Sequence, residues 1–316
     1  MIRRHLPLLA LGLIAQAHSL DAPPIDAGRP PTASTAELIG SSQPSDWRRL
    51  DPAETLYLEL AQGRVVIELA PAFAPRHVAN LKTLVKAGYF DGLAILRVQD
   101  NYVVQWGDPA AGEAGKARSL GLAKARLPPE FSVGYDADWP FTRLPDGDVY
   151  AAEVGFSNGF PAARSASENQ TWLTHCYAAL GVGRDDAVDS GSGAELYVVI
   201  GHAPRHLDRN VTVLGRVWSG MELLSALPRG SGPMGFYQQA SQRISIKRLR
   251  LASGLPPTEQ TPLEVMRTDR PLWQALVESR RNRHEPWFSR SAGRVDLCNI
   301  PIPVRVIPNL AGLSSE

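Results

Sequence analysis

The sequence predicts a mainly β protein built on a closed antiparallel β-barrel with helical caps. Three observations predict it: many short runs of β-branched and alternating apolar residues, few stretches with helical periodicity, and glycine-rich turns between the runs. Thr55–Leu60 and Val65–Leu69 flank the turn Gln62-Gly63 and read as an opening hairpin. Pro75 suits the first turn of a helix whose Val78, Leu81 and Val85 share one face, and Gly88 stops it. The turn Tyr89-Phe90-Asp91-Gly92 leads into strands at 94–98 and 102–106. Strand patterns return at Trp172–Val182, Glu195–Ile200 and Val211–Val217. Gly220–Leu227 reads as a second short helix, and Ile244–Leu251 as the last strand of the series.

Three segments stand outside this series. Residues 18–46, rich in Pro, Ala, Ser and Thr, read as a flexible leader. Residues 109–171 carry Gly, Pro and charge with weak periodicity and form a long insertion, with short structured pieces expected as around Gly147–Val154. Residues 252–316 form a C-terminal extension. Asp269 and Pro271 start a helix through about Arg283, with Leu272, Trp273, Leu276 and Val277 on one side. Val295–Leu297 and Ile300–Val306 are extended, and Pro301 and Pro303 suit an edge or a packed arm. The domain between leader and extension is therefore 47–251.

Composition narrows the function. The 316 residues are 44% hydrophobic and 21% charged, which is ordinary for a globular chain. With 33 basic and 32 acidic residues the net charge is +1, so neither nucleic acid nor an acidic surface is favoured as a partner. Residues 1–17 read as a signal peptide: Arg3 and Arg4, an apolar run from Leu6 to Ile14, then Ala15-Gln16-Ala17 as a cleavage site. The run is too short for a mature anchor, so an exported protein, periplasmic or secreted and free of the membrane after cleavage, is expected.

Several constellations carry no chemistry. Cys176 and Cys298 are the two cysteines; pairing and two buried thiols are both open readings. His202 and His206 are separated by Pro204, which argues against a helical metal pair. Asp185, Asp186 and Asp189 match no full calcium-ligand spacing. His175 and Cys176 are adjacent, so on a strand they point to opposite faces.

One run is different. In Ile95-Leu96-Arg97-Val98-Gln99-Asp100-Asn101-Tyr102-Val103-Val104-Gln105-Trp106-Gly107-Asp108, paired strands would bring an arginine, an amide and apolar groups to one concave face. It resembles the cyclophilin signature Phe-His-Arg, four residues, Phe-Met, one residue, Gln, one residue, Gly-Asp. Arg97, Gln105, Gly107 and Asp108 match; Tyr102 stands for the Phe and Val103 for the Met; Ile95 and Leu96 replace Phe-His. Further on, Gly181-Val182-Gly183-Arg184 is similar to the family's Gly-Met-Ala-Asn/Arg segment. Ser192–Ile200 is similar to its Gly-Ser-Gln-Phe-Phe-Ile strand, and Leu207–Val217 to its Leu-Asp-Gly-Lys-His-Val-Val-Phe-Gly-Lys-Val run. The ordered set covers residues 54–250.

The resemblance implies an eight-stranded barrel with two helices, and an isomerase of X–Pro bonds that uses no cofactor. That chemistry needs no nucleophile; it needs the twisted amide bound more tightly than either planar form. Arg97 is the implied catalytic residue, its guanidinium donating to the prolyl nitrogen or holding the prolyl carbonyl. Gln105 would grip the adjoining backbone. Tyr102, Val103, Tyr197 and Leu207 would line the proline pocket, and Gly183 and Arg184 would border the groove. Glu195 stands where the family has Gln, Val211 where many members have His, and His206 where some have Trp, the position linked with cyclosporin contact. The implied partners are proline-containing unfolded or extended polypeptides. The rival reading is the same barrel as a binding module without useful turnover.

Overall fold

The structure, a computed structural model, describes residues 33–307. The expected signal peptide, and the leader up to residue 32, lie outside the described residues. The leader's remainder is ordered: α1 (Thr35–Gly40) starts on a capping box, in which the Ser34 hydroxyl accepts from the Glu37 N–H and the Glu37 carboxylate accepts from the Ser34 N–H. Ser34-Thr35-Ala36-Glu37 carries that signal in the sequence, so the flexible reading through 46 is corrected here.

Strand β1 (Trp47–Arg49) precedes the hairpin of β2 (Thr55–Glu59) and β3 (Arg64–Leu69). In α2 (Pro75–Lys86), Val78, Leu81, Leu84 and Val85 are buried on one face. A second hairpin joins β4 (Ala94–Val98) to β5 (Val103–Gly107). The insertion holds an antiparallel meander of β6 (Thr142–Leu144), β7 (Glu153–Ser157), β8 (Phe160–Ser165) and β9 (Gln170–Leu173). Then come β10 (Ala179–Val182), β11 (Leu196–Val199), β12 (Val213–Ser219), the short α3 (Met221–Ser225), β13 (Ile244–Ser245) and β14 (Arg248–Leu251). The extension supplies β15 (Leu263–Met266), α4 (Pro271–Arg281) and β16 (Val304–Val306).

The main sheet has nine strands in the order β13-β4-β5-β11-β10-β12-β3-β2-β14, every pair antiparallel. It curls as a half-barrel around a core that includes Leu56, Leu58, Val65, Ile67, Ile95 and Val98, with Leu81 of α2 and Leu224 of α3 packed into it. The expected closed eight-stranded barrel is thus corrected to a curled sheet of nine. The count rises because the 244–251 segment changes partner midway. Ile244 and Ser245 pair with β4, whereas Lys247 donates to the Glu59 carbonyl and Arg248–Leu251 pair with β2.

Both faces of the β2-β3 hairpin are buried, so its sequence reads as a nearly continuous apolar run. Leu56 and Leu58 face the inner core while Tyr57 and Val66 face a second one. That second core joins the meander (Val154, Phe156), the outside of the main sheet (Trp218) and the extension (Trp273, Leu276, Leu297). The three-stranded sheet β1-β15-β16 and a Cys176–Cys298 disulfide belong to it. Glu68, only 6% exposed, holds this layer by accepting from Arg48 at 2.6 and 2.7 Å and from the Trp218 indole at 2.7 Å.

The insertion is not a bare loop. Asn158 (φ 49°) and Gly159 (φ 89°) form the left-handed pair that turns β7 into β8. A Cβ on Gly155 would fall 2.2 Å from the Thr142 carbonyl, so glycine is required where β6 crosses it. Glu130 caps α2, which has no side-chain cap of its own: its carboxylate accepts from the N–H groups of Arg76 and His77 at 3.1 and 2.9 Å. The expected strand at Trp172–Val182 is two strands, broken at 174–178, where Ala178 takes φ 73°.

Candidate active site

The β4-β5 hairpin positions Arg97. Ile95 and Val98 both enter the inner core, and a β-bulge between Ile95 and Arg97 provides the extra residue that lets them do so. Arg97 is left on the other face, opposite Gln105 in the register. Its Nε donates to the Met234 carbonyl at 2.7 Å, Nη1 to Gln105 Oε1 at 2.9 Å, and Nη2 to Gln99 Oε1. Arginine has five N–H donors, so one remains on each terminal nitrogen. The guanidinium lies 5.5 Å from the Tyr102 ring and 5.4 Å from the Phe236 ring. Burial pulls its pKa below the ordinary value, with Tyr102 and Glu195 acting the other way; arginine still stays charged at neutral pH.

Gln105 is held at both ends. Its Oε1 takes the Arg97 bond, which orients its amide to donate to the Glu195 carboxylate. Burial raises the Glu195 pKa, and the bond from Gln105 opposes the shift. Where an amide would offer both a donor and an acceptor, ionised Glu195 only accepts, and this fixes the direction of the Arg97-Gln105-Glu195 chain.

Beside Arg97 lies a groove of about 320 Å³ lined by Arg97, Gln105 and an apolar basin of Tyr102, Val103, Tyr197, Leu207 and Val211. Val103 and Tyr197 come from adjacent strands and are 2% and 6% exposed. Gly183 and Arg184 form the far wall with Asp185 and Asp186. Arg184 is committed to that wall: its Nε donates to the Asn210 carbonyl at 2.9 Å and its Nη1 to the Asp185 carbonyl at 2.7 Å. A larger surface depression of about 520 Å³ runs from Val85 to Gly88 and from Arg250 to Gly254. It lacks any set of groups suited to stabilising a twisted amide.

Of the residues singled out from the sequence, Arg97, Tyr102, Val103, Gln105, Gly183, Arg184, Tyr197 and Leu207 line one groove. Glu195 reaches it through Gln105. His206 does not line it: on the short 3-10 turn Arg205–Leu207 its side chain is exposed, while its neighbour Leu207 enters the basin. Sequence reasoning missed Met234 and Phe236, which reach Arg97 from about 137 residues away. It also missed His175 behind Tyr197. The glycine-rich run Gly230–Gly235 was the available signal for a tight return against β4, where Gly230 donates to Val98 and Tyr237 to Leu96.

Residues 55–251 match the family described as cyclophilin type peptidyl-prolyl cis-trans isomerase/CLD. A probable peptidyl-prolyl cis-trans isomerase of Brucella suis is 29% identical over 205 residues, covering 63% of this chain and 83% of the relative. Peptidyl-prolyl cis-trans isomerase ppi1 of Schizosaccharomyces pombe is 40% identical over 58 residues, 18% of this chain and 37% of that one. The crystal structure of cyclophilin AquaCyp293 from Hirschia baltica superposes with a TM-score of 0.65 at 26% identity, covering 87% of this chain and 97% of that one. That likeness reaches well beyond 55–251, so it takes in flanking segments as well as the sheet.

Proposed function

The chain belongs to the cyclophilin-type peptidyl-prolyl cis-trans isomerase family, and from that premise we propose that Arg97 carries the catalysis by stabilising the twisted X–Pro amide. The observation behind this reading is a charged, half-buried guanidinium held by Met234, Gln105 and Gln99, with two N–H donors left at the edge of an apolar basin. The barrier to be lowered is about 18–20 kcal/mol and arises from amide resonance. Rotation localises a lone pair on the prolyl nitrogen, and a donor already in place stabilises that charge without reorganising. Tyr102, Val103, Tyr197 and Leu207 would seat the ring and keep water from it, while Gln105 would hold the adjoining backbone. The Gly183 N–H is taken by the Glu195 carbonyl at 2.8 Å, so an extended peptide would bond to the Gly183 carbonyl.

Arg97→Ala, measured with a protease-coupled proline tetrapeptide, is expected to lower kcat/KM about 10²–10³-fold with an unchanged far-UV circular dichroism spectrum. Retention of half the wild-type kcat/KM would overturn the role of Arg97. We place the activity among exported polypeptides, on the strength of the basic start, apolar run and Ala15-Gln16-Ala17 at the N-terminus. Expression in a bacterium should yield a periplasmic protein beginning at His18; a full-length cytoplasmic product refutes the export reading.

A further inference from the structure

Behind the basin lies a chain of buried polar groups that the proposed reaction does not use. The Tyr197 ring crosses β10 at Gly181, where a Cβ would fall 2.2 Å from the tyrosine Cζ and 2.3 Å from its hydroxyl. This crossing carries the hydroxyl away from the groove to His175 Nε2, at 2.8 Å. His175 is fully buried, and its Nδ1 is 2.9 Å from Asp208 Oδ1, which also accepts from the His175 backbone N–H at 2.9 Å. Asp208 Oδ2 accepts from Arg205 Nε at 2.6 Å, and Arg205 forks onto Asp148 at 2.8 and 3.1 Å. The side chains of Arg205, Asp208 and Asp148 are each at most 6% exposed.

The hydrogen-bond roles follow from the ends of the chain. Burial alone would raise the Asp208 carboxyl, but the bond from His175 and the charge of Arg205 outweigh it and hold its pKa low. Ionised Asp208 only accepts, so His175 Nδ1 carries a proton toward it and Nε2 faces the tyrosine hydroxyl. Burial pushes the Tyr197 phenol above its ordinary value, so it keeps the proton it donates. Every member then has its partner, a condition under which a buried polar network rigidifies its surroundings. The network also spans four parts of the sequence: the strand that supplies the pocket floor, the link between β9 and β10 that carries His175, the turn that supplies Leu207, and the insertion loop that carries Asp148.

We propose that His175 and Asp208 are positioning residues for the proline pocket: His175 fixes the Tyr197 ring through its hydroxyl, and Asp208 fixes His175. The inference rests on the reading of the groove as a proline site. The ring packs against proline in the planar and twisted states alike, so its positioning contributes uniform binding and shows in KM more than in kcat. This deepens the role of Tyr197 from a passive wall to a held one.

The test compares His175→Leu, His175→Gln, Tyr197→Phe and the double variant His175→Leu/Tyr197→Phe with wild type, in steady-state turnover of a proline tetrapeptide. In the two single variants that break the bond, KM is expected to rise about tenfold while kcat stays within about twofold. The double variant should be no worse than either single, because both remove one interaction. His175→Gln, whose Oε1 can still accept from the tyrosine, should recover most of the loss. A fall in kcat at unchanged KM, the signature of a smaller folded fraction, overturns the proposal; so does a KM that multiplies in the double variant. If His175→Leu does not fold, the near-isosteric Tyr197→Phe decides alone by its KM. Peptide Kd from NMR titration is read alongside turnover, so loss of the proposed Arg97 chemistry would leave the pocket test intact.

Discussion

Removing the Cys176–Cys298 cross-link should loosen the whole outer layer. The bond joins residues 122 apart. Closing a loop of that length removes about 5 kcal/mol of denatured-state chain entropy at 25 °C in the simplest treatment, within the about 2–5 kcal/mol measured for native disulfides. At about 2 °C per kcal/mol for a chain of this size, the upper figure is a fall of about 10 °C in melting temperature. Cys176 is 1% exposed, in the second core. Alanine is the better replacement there, since serine would bury a hydroxyl. The assay is calorimetry of wild type, the Cys176→Ala/Cys298→Ala variant, and wild type under a phosphine reductant. The variant and the reduced protein should fall together, because both lose the cross-link, although only the variant loses the sulfur atoms. A difference of less than about 1 kcal/mol between oxidised wild type and both others would refute the reasoning. So would two reactive thiols in denatured, unreduced protein.

Further outcomes follow from the same geometry. Arg97→Lys keeps the charge but loses the fork that serves Met234, Gln105 and Gln99. It should therefore lower kcat/KM about 10²-fold in the tetrapeptide assay, and full activity would show that charge alone suffices. Glu195 has a folded pKa raised above its unfolded value by burial. Its stabilising contribution is present below the unfolded pKa and is lost as pH rises through the folded one. Wild type should gain on Glu195→Gln in urea unfolding as pH falls; a gain as pH rises contradicts the shift. Arg205→Ala would leave the Asp148 and Asp208 carboxylates buried without their cation. That should cost about 3–5 kcal/mol in the same unfolding assay, and a loss under about 1 kcal/mol would show that water compensates them.

The β4-β5 strand pair was legible in the sequence because its information is local. Arg97 and Gln105 sit on one hairpin, and eight residues of separation with a tight turn between place them opposite each other. The core strands were legible for the same reason, from their β-branched runs. The meander was read only as short pieces around Gly147–Val154, although Asn158-Gly159 is a hairpin signal, because its strands carry Gly155, Pro161, Ala162 and Ala163 where the core strands carry β-branched residues. The helix at Thr35–Gly40 was missed because six residues carry almost no periodicity, leaving its capping box as the sole cue.

By itself, the sequence determined where the main core strands lie along the chain, the helix between the two opening hairpins, and which arginine stands beside which glutamine. Backbone propensity and a few residues of spacing suffice for those. Tertiary structure alone decided what surrounds that arginine. The acceptor on Met234 and the ring of Phe236 arrive from a distant glycine-rich return. Tyr197 is fixed by His175 and Asp208 across a strand, and Cys176 meets Cys298 over 122 residues. These contacts depend on packing between segments far apart in the chain, where the gain from burial and paired polar groups outweighs the entropy of closing long loops, and no local pattern encodes that balance.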